Sequence, residues 1–270
     1  MTLTAYIEGI GLLGPGLTNW LGSQAILCGQ QPYHPQKTIL PSPTLLPPAE
    51  RRRSGAIVKL TLATGLEAIA AAGLNAADLS TVFSSSGGDG ENCHAICEML
   101  ASHDRKISPT RFHNSVHNAA AGYWSIATGA MAASSVLSAF DASFGAGLLE
   151  ALSQVAADDK RTVLLACDTV YPQPLHSARP LADAMGIALV LAPQRSARAV
   201  VQITVGLSDA SADRLDHAAL ENLRTAVPAA RGLPLLRAIA LRQNNSLQQV
   251  QHVVLDYLDN MRLAVAIAPC

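Results

Sequence analysis

Residues 108–129 read SPTRFHNSVHNAAAGYWSIATG. The first half, with Ser108, Pro109, Asn114, Asn118 and two histidines, is read as the end of a loop running from Ile107 to Asn118. From Ala119 alanines and glycine take over, and a helix is expected as far as Ala133, built of side chains small enough for another backbone to come close. Polar loop followed by small-residue helix is the pattern of a buried layer entered from the surface.

The same alternation continues on both sides. Upstream, AYIEGIGLL (5–13) is a buried strand stopped by Gly14-Pro15-Gly16, and the proline-rich stretch 28–50 is extended surface chain. AIVKLTLATGLEAIAAA (56–72) is apolar on most faces and stops at Gly73, which predicts a buried helix. STVFSSS (80–86) is a strand ending in Gly87-Gly88, and Glu91 to Ser102 a helix. Downstream come a strand at 135–140, a helix at 145–157 and the strand TVLLAC (162–167). GIALVLAP (186–193) and AVVQITV (199–205) suggest an antiparallel pair joined by Gln194 to Arg198. Beyond 205, Leu215, Leu220 and Leu223 are spaced as in a helix, and a Gln-rich helix is expected to Leu258. Strand and helix in alternation predict an α/β layered fold.

Composition narrows the function. The chain is 49% apolar and 14% charged, with Lys+Arg 19 against Asp+Glu 20, which excludes a disordered tail and a general nucleic-acid footprint. No apolar run is long enough to span a membrane and no charged leader precedes an apolar core, so a cytoplasmic location is expected. Cys28, Cys93, Cys97, Cys167 and Cys270 are odd in number and scattered, which argues against a disulfide framework. Cys93, His94, Cys97 and His103 raise a metal question, but a structural zinc site needs two close ligand couples, and cysteines buried on a helix are expected instead.

From about Tyr6 to Val205 the chain resembles the N-terminal half of a β-ketoacyl synthase of the thiolase superfamily. The residues that carry the resemblance are Gly9, Gly11 and Gly14-Pro15, the helix ending AAGL, the turn SSSGGDGEN, and the stretch 108–129. It implies a half-thiolase fold, layered α/β around a mixed five-stranded sheet, over residues 1–205. Residues 206–270 are then expected to be a helical C-terminal extension replacing the family's second half.

Two departures follow. The family's nucleophile is a cysteine at the start of a buried helix, where the helix N-terminus lowers its pKa and offers donors to an oxyanion. The matching stretch here is SAFDASFGAGLLEAL (138–152), with Asp141 at or next to the cysteine position, Ser143 at the family's serine, and no cysteine between Cys97 and Cys167. A carboxylate is a poor acyl acceptor, since its product is an anhydride. The family's two histidines sit in His-Gly-Thr-Gly-Thr and Gly-His-Asn motifs, and neither occurs after 205; His217 and His252 stand in polar, glycine-free contexts expected at the surface. In this it is similar to the short chain length factors encoded with aryl polyene synthases. The resemblance implies a non-catalytic subunit paired with a catalytic β-ketoacyl synthase, working on chains held by an acyl carrier protein, with no metal or cofactor.

On that reading Phe112, His117, Asn118, Trp124 and Phe140 are the tunnel and interface candidates, and Arg51, Arg52 and Arg53 the candidate carrier-protein contact. Asn118 and Asp141 are expected as helix caps. The rival reading is a stand-alone acyltransferase or thioesterase using Ser143 or Asp141 with His113 or His117.

Overall fold

The computed structural model describes residues 2–245 and 249–270. Its eight strands are β1 (Thr2–Leu13), β2 (Ser80–Ser84), β3 (Ser134–Leu137), β4 (Thr162–Asp168), β5 (Met185–Ala192), β6 (Val201–Ser208), β7 (Gln251–Leu258) and β8 (Met261–Ala268). They form one sheet in the order β3-β2-β4-β5-β1-β6-β8-β7. β2 is parallel to β3 and β4, and every other neighbouring pair is antiparallel. The sheet is mixed, as expected, but has eight strands instead of five.

The helices are α1 (Trp20–Leu27), α2 (Pro48–Arg53), α3 (Ala56–Ala72), α4 (Gly90–Ala101), α5 (Pro109–Asn114), α6 (Ala119–Thr128), α7 (Ser143–Asp158), α8 (Leu175–Ala178), α9 (Ala218–Ala226) and α10 (Leu233–Asn245). α3 and α6 cover one face of the sheet, while α7, α1, α9 and α10 cover the other, each over its own apolar cluster. β4 and β5 are buried at every residue, which is why they read as unbroken apolar runs rather than alternating ones.

β1 and α3 set the spacing between layers. A Cβ at Gly9 would stand 2.0 Å from the carbonyl oxygen of Ala68, and one at Gly11 would stand 1.9 Å from that of Thr64. Only glycine admits so close an approach of strand and helix backbones. α3 stops at Gly73, whose φ of 64° is the left-handed conformation of a helix end, with its amide on Ala70 O and that of Leu74 on Ile69 O. On the same helix Glu67 accepts the amides of Leu12 (2.9 Å) and Trp20 (2.6 Å), fixing the exit of β1.

The structure corrects several expectations. The two runs 186–193 and 199–205 do not pair, because β1 lies between β5 and β6 and is antiparallel to both. The segment 107–118 is not all loop: Ser108 caps α5 through the Arg111 amide, with Pro109 at the first helical position. α6 ends at Thr128, with Gly129 at φ 72°, short of Ala133. The strand expected at 135–140 gives way to a 3-10 turn at Phe140–Ala142.

Residues 206–270 are not a helical extension. The boundary at 205 falls inside β6, and after α9 and α10 the chain returns as the hairpin β7–β8 around Asp259-Asn260. Val253 and Leu255, and Leu263, Val265 and Ile267, are buried at every second position, a strand period rather than a helix period. Residues 246–248 of the expected Gln-rich helix lie outside the described residues.

Candidate functional site

β3, the 3-10 turn Phe140–Ala142 and α7 make a strand-to-helix elbow. Ser84 Oγ donates to Ser143 O (2.5 Å) and Ser138 Oγ to Ser86 O (3.1 Å), tying the elbow to the end of β2. Ser143 Oγ accepts the Ala139 amide (3.1 Å) and donates to Phe140 O (2.7 Å). Its hydroxyl is thus buried and bonded only to backbone, with no base among its partners.

Phe140 has φ 53°, a left-handed conformation that a residue with a Cβ adopts at a cost of about 1–2 kcal/mol. The Arg179 guanidinium lies 3.4 Å from its ring centroid and bonds the next residue, Asp141 Oδ1, at 2.7 Å. The other Asp141 oxygen is 3.4 Å from Arg231. The expectation that Asp141 caps the helix is therefore corrected: Ala142 stands at the start of α7 and the carboxylate faces two guanidiniums. Arg231 also reaches Asp256 (3.7 Å), which bonds Arg224 and Arg262, so an ion network links the elbow to α9 and the β7–β8 hairpin. Arg224 holds Glu221 (2.6 Å) and lowers that carboxyl below its ordinary range.

At this elbow the carboxylate is ion-paired and the serine is buried and bonded to backbone. The Cys167 thiol, buried beside Thr61 and Thr64, is pushed up to about 12 by burial and is inert.

Asp168, the last residue of β4, is a residue the sequence reading missed. Its carboxylate is buried and accepts the Ser86 amide and hydroxyl (both 2.7 Å), Ser85 Oγ (3.4 Å) and the Ala229 amide (2.8 Å). It joins the SSSGGDG turn to the 3-10 segment Pro228–Gly232. Burial raises its pKa against these hydrogen bonds. Asp168→Ala leaves buried donors unsatisfied, and thermal unfolding is expected to show a loss of about 3 kcal/mol. Because the folded pKa is raised, the folded chain holds a proton that the unfolded chain releases first; the stability this group gives is present at low pH and lost as pH rises through the raised value. Asp168→Asn is expected to remove that slope.

The remaining candidates separate. Trp124 is 1% exposed, edge-on to Phe83 and pressed on Gly65, so it is core within this chain. Phe112 and Phe140 are each 63% exposed, and Val116, Ile126 and Met131 are exposed as well. Asn118 precedes α6 but makes no side-chain cap. Exposed His113 stands edge-on to Tyr123, and exposed His117 lies against Gly88; neither is bonded to Ser143. Asn114, also missed, takes the Tyr123 hydroxyl (3.0 Å) and donates to Arg53 O (2.8 Å), locking α5 and α6 to α2. Arg51 holds the carbonyls of Thr44 and Leu46, and Arg53 is 3.5 Å from Glu50.

Cys93 and Cys97 are exposed rather than buried, on α4, a helix with no buried residue. No group of three or more metal-ligating side chains occurs among the described residues, and none of the helices described is long and apolar enough to cross a membrane. The crevice bounded by Ile57, Phe83, Val116, His117 and Val136 holds about 20 Å³, room for a water and not for an acyl chain.

The fold is of the thiolase class. A family model described as the N-terminal domain of β-ketoacyl synthase matches residues 27–252, and the chain belongs to that family. No curated protein matches it. Among solved structures it is similar to the ketosynthase ApeO in complex with its chain length factor ApeC from Xenorhabdus doucetiae, at 22% identity, covering 98% of this chain and 99% of that one, with a TM-score of 0.72. It is also similar to the ishigamide ketosynthase/chain length factor, at 13% identity over 98% and 99% of the two chains with a TM-score of 0.71. A β-ketoacyl synthase from Burkholderia phymatum STM815 is matched at 12% identity over 100% of both, with a TM-score of 0.68.

Proposed function

We propose that this chain is a non-catalytic chain length factor, paired with a catalytic β-ketoacyl synthase that elongates polyene-type chains on an acyl carrier protein. The observation that carries this reading is the elbow, which the resemblance makes the family's site of acylation: it holds Phe140, an ion-paired Asp141 and a backbone-bonded Ser143. The similarity to structures of ketosynthase and chain length factor supports it. The same geometry weighs against a stand-alone acyltransferase, which needs an exposed nucleophile with a base.

The partner surface is the outer edge of β3. Among the described residues β2 is its only strand neighbour, whereas the far edge of the sheet is partly met where Asp213 bonds both the carbonyl and the amide of Val254. An open strand edge beside exposed apolar side chains asks for a covering chain. Val116 and His117 border Val136 of β3, and Phe112, four residues before Val116, and Met131, 92% exposed and three residues before β3, are exposed apolar side chains near it in sequence. Co-expression with a catalytic synthase from the same source, followed by light scattering, is expected to give a one-to-one complex. A stable monomer that ignores the synthase at micromolar concentration contradicts the proposal.

The carrier contact falls to Arg52 and Arg53, because Arg51 is taken up by Thr44 and Leu46. Reversing both charges to Glu is expected to slow association of an acidic carrier about tenfold at low salt, with the difference shrinking as salt rises. Stopped-flow association against ionic strength measures it.

A further inference from the structure

Phe140 is a puzzle of energetics. Its backbone is strained, yet its ring is mostly exposed and gains little burial within this chain. Strain without a packing return is kept where it serves a function. One side chain holds the arrangement: Arg179 stacks on the ring at 3.4 Å and bonds the neighbouring Asp141 at 2.7 Å, while the Tyr171 ring centroid is 5.9 Å from the guanidinium. Arg231, 3.4 Å from the second Asp141 oxygen, fixes the carboxylate in turn. The ring is therefore locked in one orientation before any partner arrives.

We propose that Arg179 is a positioning residue that presents Phe140 as a preformed aromatic anchor for the catalytic synthase. This rests on the reading of the chain as one half of a ketosynthase pair. Rigid aromatic side chains concentrate binding energy at interfaces, and ordering them in advance lowers the entropic cost of association. The anchor sits three residues beyond the end of β3, so it is continuous with the open edge proposed as the partner surface. Arg179 never needs to touch the partner; it acts by holding the ring and the strained backbone together.

The test is the affinity for the co-expressed synthase, measured by interferometry alongside thermal unfolding of the free chain. Phe140→Gly is expected to weaken pairing at least tenfold while leaving the melting temperature unchanged or higher, since glycine relieves the left-handed strain. Arg179→Ala is expected to weaken pairing to a similar extent, and the double variant no further than either alone, because the two act as one unit. Arg179→Lys, which keeps the charge but not the planar stack, is expected to fall between. If Phe140→Gly and Arg179→Ala both bind within twofold of the unmodified chain, the anchor is refuted and the pairing survives. If the unmodified chain does not pair at all, both proposals fall.

Discussion

Phe112→Ala is expected to lengthen the product of the reconstituted pair, while Trp124→Ala is expected to destabilise the chain without lengthening the product. Both residues lie in the stretch 108–129, but their surroundings differ. Phe112 is 63% exposed, and Trp124 is 1% exposed against Phe83 and Gly65. If the Phe112 ring reaches the partner's acyl tunnel, its loss opens apolar volume. Each methylene newly buried there gains about 0.8 kcal/mol, roughly a fourfold preference, so one or two further carbons shift the distribution visibly by mass spectrometry. Its melting temperature should hardly move. Truncating Trp124 costs about 3–5 kcal/mol, a fall on the order of 10 °C for a chain of this size. Early unfolding of Phe112→Ala without longer product would remove Phe112 from the tunnel.

Gly11→Ala should be as damaging as any core truncation, although it adds a single methyl. The new Cβ would meet Thr64 O at 1.9 Å and Thr64 C at 2.8 Å, both backbone atoms of α3. Overpacking against side chains typically costs about 1–3 kcal/mol because they can turn aside; a helix backbone cannot, so more than about 3 kcal/mol is expected. Gly122 is the control. It lies exposed in α6, and a methyl added there would have nothing within 4 Å, so Gly122→Ala should stabilise by up to about 1 kcal/mol. Differential scanning calorimetry of the two variants decides, and equal melting temperatures would mean that β1 and α3 are not packed this closely.

The layered fold was legible because its signals are local. Glycines at 9 and 11, the apolar helix 56–72 and the unbroken strands 162–167 and 186–192 each carry their reason in a few residues. The insertion of β1 between β5 and β6 was not legible, since it joins segments nearly the whole chain apart and neither neighbour's pattern changes with it. The β7–β8 hairpin was legible but misread: glutamines suggested a helix, while the alternation of Val253 and Leu255 and the two-residue turn Asp259-Asn260 were the better signal.

At the elbow, the lack of a thiol was plain from the sequence, and what surrounds the residue in its place was not. Arg179 and Arg231 come from segments well beyond α7, and no local spacing announces that they converge on Asp141. Aromatic residues were ambiguous for a related reason. Trp124 and Phe112 look alike as apolar rings in one motif, and only the position of α3 beneath α6 decides which is core.

The most direct test of a non-catalytic role is intact-mass spectrometry of the assembled pair after incubation with acyl-carrier thioester. The account predicts an acyl adduct on the synthase and none on this chain. A stoichiometric adduct on this chain, lost on Ser143→Ala or Asp141→Ala, would contradict it.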